Sequence, residues 1–239
     1  MILKSHFEKE LFLIPILCNK RQIAIDIGAN QGVYTYYMAK HARKVISFEP
    51  NQRLRPALDR VAGRNVVVQT EALSDARRTV KMRLDPTNNG LSTIEPRNDF
   101  HAANQDAVHI LDDVETDTLD SFQLSGISVI KIDVEGHEEA VLHGARDTID
   151  RNKPVLIVET ENQHNRGAPD RVTRFLTELG YRGFFIKDRR LNEMSKLRIS
   201  DIQVENRALG IPYINNFIFV PEQNQAIIES LRIMAGSLR

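Results

Sequence analysis

Tryptophan is absent from this chain, cysteine occurs once, and neither charge is in surplus: 32 Lys and Arg are matched by 32 Asp and Glu, for a formal net charge of +0. Each shortage removes a class of answer. The single thiol, Cys18, cannot close an internal disulfide or build a cysteine-based zinc site. It suits a reducing compartment and is expected to be a packed apolar residue. Balanced charge means that no global field draws the molecule toward nucleic acid or an anionic membrane, so the expected partner is a small molecule or a neutral acceptor. Long apolar runs are lacking too. The best candidate for a targeting segment, Leu11 to Cys18 (LFLIPILC), is too short to span a bilayer, is broken by Pro15 and has no small-residue cleavage site. A cytoplasmic protein with no membrane contact is expected. At 239 residues the chain suits one large α/β domain over 1–239 and is short for two.

What is present is organised around residues 23–50, IAIDIGANQGVYTYYMAKHARKVISFEP. Ile23 to Ile27 is an apolar run, Gly28 to Gly32 a glycine-bounded turn, Val33 to His41 has helical spacing, and Val45 to Phe48 is a second apolar run closed by Glu49. In a parallel strand–helix–strand unit, the loops at the carboxyl ends of the strands form the ligand crevice, so Asp26, the glycine turn and Glu49 are expected to meet at one ligand. The glycines narrow its chemistry. A dinucleotide fold carries G-x-G-x-x-G, whose second glycine lets backbone amides close on a pyrophosphate. Here Asn30 replaces that glycine and the next one is Gly32, so the phosphate grip lacks a part. Glu49 follows Gly28 by 49 − 28 = 21 residues, where a carboxylate can accept from both hydroxyls of an adenosine ribose. A nucleoside without phosphates fits better than NAD.

Beyond Pro50 the pattern continues. Gln52 to Ala62 is a helix stopped by Gly63, and Asn65 to Thr70 (NVVVQT) a third strand. Glu71 or Asp75, in the loop after it, could bond an adenine amino group. VKMRL and, further on, VETDTL alternate as half-exposed strands. Residues 86–113 hold His101 and His109 without a clear period, and such a length of loop suggests an acceptor-side cap. Residues 1–20 are an amphipathic lead-in that packs on the sheet or caps the crevice. Ile127 to Ile132 is a strand with Asp133 at its tip, and Gly136 turns the chain into a helix from about His137 to Ala145. Asp133 is expected to face the crevice. NKPVLIVE ends a further strand at Glu159; helix 172–179, strands 181–186 and 215–220, a charged connection over 187–213 and a terminal helix within 222–239 complete the chain.

The turn D-x-G-x-N-x-G resembles motif I of class I S-adenosylmethionine (SAM) methyltransferases. With DIGANQGVYT (26–35), SFEP (47–50), EALSD (71–75), TDTLD (116–120), IKIDVEGHEEAVLHGA (130–145) and VLIVE (155–159) in that order, the chain resembles the FkbM-type SAM-dependent methyltransferases over about residues 23–160. The resemblance implies a doubly wound, mostly parallel seven-stranded Rossmann-like sheet with helices on both faces and an antiparallel last strand. It implies O-methylation of a hydroxyl on a small metabolite, sugar or polyketide-type acceptor. It carries over Asp26, Gly28, Asn30 and Gly32 as the SAM turn, with Asp26 helping to hold the amino group, and Glu49 as the ribose ligand. Asp133, Glu135 and Glu138 match the family's acidic motif.

Methyl transfer to a hydroxyl needs an aligned acceptor and a group to take its proton. The candidates are Asp133, then His137 and Glu135. Each has a plainer alternative: a helix N-cap or first-turn acid for the carboxylates, a surface histidine for His137. Two rival functions remain. One is metal-assisted, catechol-type methylation, with Asp133, Glu159 and Asn162 as oxygen ligands to Mg²⁺; against it, Gly136 stands where catechol-type enzymes carry a lysine base. The other is an adenosyl-binding module without turnover.

Overall fold

Alternation of side chains along the strands decides how the layers form. The computed structural model describes residues 8–84, 92–98, 110–196, 198–203 and 213–238. A 3₁₀ turn, Lys9–Leu13, runs into α1 (Ile14–Leu17); β1 (Ile23–Ile27), α2 (Val33–His41), β2 (Lys44–Phe48), α3 (Arg55–Val61) and β3 (Val66–Gln69) follow. Next come β4 (Ala72–Leu73), β5 (Arg78–Leu84), β6 (Ile110–Asp117), β7 (Ile127–Ile132), α4 (Glu138–His143), α5 (Arg146–Asn152) and β8 (Val155–Glu159). The chain ends with α6 (Ala168–Glu178), β9 (Tyr181–Lys187), β10 (Arg190–Glu193), α7 (Ile199–Ile202), β11 (Asn216–Pro221) and α8 (Gln225–Ser237). In β1, Ile23, Ile25 and Ile27 join one apolar core with Val141, Ile149 and Leu176 from α4, α5 and α6. Ala24 joins the other, with Met38 of α2 and Ile228 and Leu231 of α8. Period-two strands thus bury both faces of the sheet under helices.

The main sheet has the order β10-β9-β11-β8-β7-β1-β2-β3. From β3 to β8 all neighbours are parallel, and β11 is antiparallel to both β8 and β9. The chain moves outward from β1 to β3 and then returns to lay β7 on the other side of β1. Loops leaving β1 and β7 therefore diverge, and a crevice opens at their carboxyl ends.

Two features differ from the expected seven strands. Arg190–Glu193 adds an eighth, antiparallel to β9. Its hairpin turns on Asp188 and Arg189, both with left-handed backbone (φ 51° and 58°). A two-residue turn with both φ positive matches strand twist, but it is usually signalled by Asn-Gly or Asp-Gly, so a charged Asp-Arg pair concealed it within the 187–213 connection. The two alternating segments, meanwhile, leave the main sheet altogether: β5 and β6 pair antiparallel in a three-stranded sheet of order β4-β6-β5, around Ala72, Met82, Leu84 and Val114. β6 begins inside the expected 86–113 cap; of the remainder only 92–98 lies within the described residues.

The lead-in packs. Leu11, Leu13, Ile14 and Leu17 are buried in the core shared by α2 and α8, and Pro15 sits in the first turn of α1, where its missing N–H costs no helical bond. The helix expected over 137–145 is α4, and a second helix that was not expected, α5, follows it after Gly144 and Ala145. Among the described residues no helix is long and apolar enough to cross a membrane.

Gly144 joins these helices to the crevice loops by close approach: a Cβ there would stand 2.0 Å from the Ser74 carbonyl oxygen. Gly144→Ala should therefore cost about 1–3 kcal/mol or more through overpacking. Gly236→Ala, in α8 with nothing within 4 Å of its Cβ position, should instead be neutral or gain up to about 1 kcal/mol of helix propensity. Urea denaturation of the two variants checks the contrast; equal midpoints would contradict it.

Candidate active site

Between the strand tips lies an open crevice of about 610 Å³, walled by the turn after β1, Glu49, Glu71 to Leu73, Ser92 to Ile94, and the loop from Asp133 to His137. Gly28 makes it possible for the β1 and β7 loops to meet. Its φ is 76°, and a Cβ would lie 1.7 Å from the Asp133 carbonyl oxygen, so no side chain fits there. Asn30 also takes a left-handed backbone (φ 51°), which aims its amide at Glu49 Oε2, 2.7 Å away; the Asn51 amide reaches Glu49 Oε1 at 2.9 Å. Two fixed donors thus pin one carboxylate at the crevice wall, each oxygen retaining a lone pair.

The expected site residues divide into three groups. Gly28, Asn30, Glu49, Asp133, Glu135 and His137 line this one crevice. Asp26 and Gly32 stand behind it. Asp26, 2% exposed, points toward α2 and accepts from Thr35 Oγ1 at 2.5 Å; Thr35 in turn bonds Ser47, so the acid braces the turn from below. Gly32 lets α2 start against Leu58 and Val61 of α3. Asp75 lies elsewhere: it is exposed, outside the lining residues, and its Oδ1 accepts from Arg78 at 2.8 Å. The basic residue three positions later captures it, and the other acid weighed for that place, Glu71, takes the wall position, with a buried Oε2 that has no partner among the described residues.

His137 is also corrected. It is buried, with Nδ1 3.0 Å from Glu95 Oε2 and Nε2 2.9 Å from Ser74 Oγ. Both ring nitrogens are occupied, so the imidazole is a brace between two loops. Glu95 belongs to a segment, residues 92–98, that clasps the β7 loop: Thr93 Oγ1 and Asn98 Nδ2 both donate to the Glu135 carbonyl, at 2.9 and 2.7 Å. Asn51 Nδ2 donates to Ser92 Oγ at 3.0 Å, which ties the same segment to the Glu49 side. These partners come from far along the chain and carry no local pattern, so the sequence offered no sign of them.

One further residue was passed over although it had a signal. Lys131 interrupts the apolar strand β7 on the face that packs against α2, and a cation there demands partners. It is 1% exposed; Nζ lies 3.1 Å from Asn216 Oδ1, 3.5 Å from Asp133 Oδ2, 3.5 Å from Glu159 Oε2 and 5.1 Å from the Tyr34 ring centre. Burial alone would depress its pKa, but Asp133, Glu159, Glu8 and Asp26 more than reverse this and raise it. Asn216 and Asn215 also donate to Glu159. Asn162, the third of the possible metal ligands, instead accepts from the Gly167 amide. Among the described residues no group of three or more His, Cys, Asp or Glu is placed to hold a metal ion.

The remaining acids are crowded. Glu135, with a left-handed backbone (φ 52°), bonds His164 Nδ1 at 3.0 Å; burial first, then the charges of Asp133, Glu159, Glu138 and Glu161, push its pKa far above the usual carboxylate range. A carboxyl held protonated in this way is a hydrogen-bond donor and a poor base. Glu138 accepts from the Gly136 amide at 2.8 Å and so holds the loop; burial pushes it up to about 7. Asp133 and Glu135 both line the crevice, and Asp133 is the more exposed, at 29% of its side chain against 17%, whereas Glu138 is buried.

This architecture, with its crevice at the switch between β1 and β7, is that of the Rossmann-like class I methyltransferases. The FkbM methyltransferase from Methylobacillus flagellatus matches with a TM-score of 0.55 at 16% identity, over 84% of this chain and 44% of that one. An rRNA methylase from Streptococcus thermophilus matches with a TM-score of 0.50 at 10% identity, over 92% of this chain and 96% of that one. The model of the methyltransferase FkbM domain matches residues 26–182, and the chain belongs to that family. It spans under half the length of the Methylobacillus protein. No curated protein matches it significantly.

The buried acids make stability depend on pH. Burial pushes Asp26 up to about 6 and Glu49 up to about 7, against the pull of their hydrogen bonds. The folded chain therefore keeps protons that the unfolded chain has released, and ligand-free stability falls as pH rises from the ordinary carboxylate range through about 7. Between about pH 4 and about pH 8, Glu49→Gln should gain on the wild type by roughly 1–3 kcal/mol. Thermal denaturation at both pH values tests this; a constant difference would remove the titration of Glu49 from the account.

Proposed function

We propose that this protein is a SAM-dependent O-methyltransferase acting on a hydroxyl of a small metabolite, sugar or polyketide-type acceptor. The observation that carries the reading is a pair of acceptors on the crevice lining beyond the neighbouring strands β2 and β3: the pinned Glu49 carboxylate, suited to two ribose hydroxyls, and the buried Glu71 Oε2, without a partner among the described residues and suited to the adenine amino group. Both ask for donors, as adenosine provides. A dinucleotide suits the site poorly. The Asn30 amide is spent on Glu49, and a pyrophosphate would face Glu49 and Asp133 across a crevice with no cation on its wall among the described residues.

When bound, SAM supplies a sulfonium methyl for in-line displacement by the acceptor oxygen. Glu49 and Glu71 would hold the nucleoside end, beside the glycine turn. Asp133, part-exposed at the tip of β7, takes the acceptor proton. Glu135, carrying its own proton, orients the acceptor by donating to it. His137, Glu138 and the 92–98 segment hold the loop that presents both acids.

SAM and S-adenosylhomocysteine should raise the melting temperature, by about 2.7 kcal/mol of added stability at a hundred times Kd, while NAD and NADP should not. A shift with NAD alone would move the protein to the dehydrogenases. In the same reading Asp133→Asn should slow turnover on the order of 10²-fold to 10⁴-fold, with SAM affinity little changed. Wild-type turnover in that variant, on an acceptor found by screening hydroxylated metabolites, would remove Asp133 as the base.

A further inference from the structure

Parallel strands β7 and β8 end side by side, each with an acid at its tip: Asp133 one residue beyond β7 and Glu159 closing β8. In metal-assisted methylation, carboxylates at neighbouring strand tips share a divalent cation. Here they share the ammonium of Lys131, 3.5 Å from an oxygen of each. Asn216 fixes that ammonium in place, accepting from it at 3.1 Å while donating to Glu159 Oε2 at 3.2 Å. Tyr34 closes the α2 side with its ring face, and Glu8 holds the Tyr34 hydroxyl at 2.7 Å. The charged groups around the ammonium are therefore Asp133 and Glu159 at the strand tips, Asp26 on β1, and Glu8 and Glu10 on the lead-in.

A counter-ion that served only to neutralise the core would not need to sit between these two carboxylates. Resting on the reading of Asp133 as the base, we propose that Lys131 is a positioning residue for methyl transfer: a built-in cation that occupies the place of a divalent ion between Asp133 and Glu159 and orients the Asp133 carboxylate. The reaction then needs no metal. Lys131 is itself fully buried and off the crevice wall, so it acts on the acceptor only through Asp133.

Removing the ammonium should create the metal site that it replaces. Lys131→Ala, checked for folding by circular dichroism, should bind Mn²⁺ at least about tenfold more tightly than the wild type, since two carboxylates and an amide oxygen are then freed for a hard cation. Adding Asp133→Asn should abolish that gain. Failure of folded Lys131→Ala to bind Mn²⁺ overturns the proposal, as does equal Mn²⁺ binding by the wild type. If Lys131→Ala does not fold, Asn216→Asp serves instead: by offering the ammonium a third carboxylate it should leave Mn²⁺ binding absent, whereas binding there would show that the lysine does not hold the cation position. With an acceptor in hand, Lys131→Met should lower kcat on the order of 10²-fold with KM for SAM unchanged, and an alkylamine should restore part of the activity of Lys131→Ala. A wild type that binds no SAM would sink the methyltransferase reading, while the Mn²⁺ measurement would still decide whether Lys131 holds the cation position.

Discussion

The crevice depends on the close passage of the Gly28 backbone beside the carbonyl of Asp133, which leaves no room for a Cβ. β1 and β7 are neighbours in the sheet but far apart in sequence, and the loops that leave them run to opposite sides. Because Gly28 has no side chain, those loops touch before they part, so Glu49 at the tip of β2 and Asp133 at the tip of β7 stand on rigid strands that flank β1 and line one crevice. The left-handed turn at Asn30 follows from the same contact. It spends an amide on Glu49, and the loss of a phosphate grip becomes the gain of a fixed carboxylate.

The second constraint is an excess of buried acid. Asp26, Glu49, Glu135, Glu138 and Glu159 are all held above their ordinary range by burial. Each is tolerable because it takes fixed hydrogen bonds or shares Lys131, but together they make the ligand-free protein less stable at neutral pH than a neutral core would be. Such a site is most strained when empty. A ligand that brings donors and positive charge relieves that strain, which links the electrostatics of the fold to its affinity.

Much of this was legible in the sequence because it rests on local pattern. The glycine turn, Glu49 at its distance from Gly28, and Asp133 ahead of Gly136 are each set by a strand, a turn and a helix contiguous in the chain. What escaped had non-local causes. Glu95 reaches His137 across 42 residues, and Asn216 reaches Lys131 across 85. Asp75 was misplaced because a neighbour, Arg78, competes for it. Lys131 could have been found: a lysine within an apolar central strand is a statement that an acid waits nearby.

The strand that the charged segment concealed has a consequence for how these molecules behave in a crowd. Without β10, the outer edge of β9 would present seven residues of unpaired backbone, YRGFFIK, to any other chain able to add a strand. β10 covers four of them and offers in exchange a short edge of Arg190, Leu191, Asn192 and Glu193, with Arg182 bonded to Glu193 across the strand pair at 2.9 Å. Short, charged edges pair poorly with strangers. A hairpin remote from the chemistry thus keeps an aromatic-rich sheet from recruiting copies of itself.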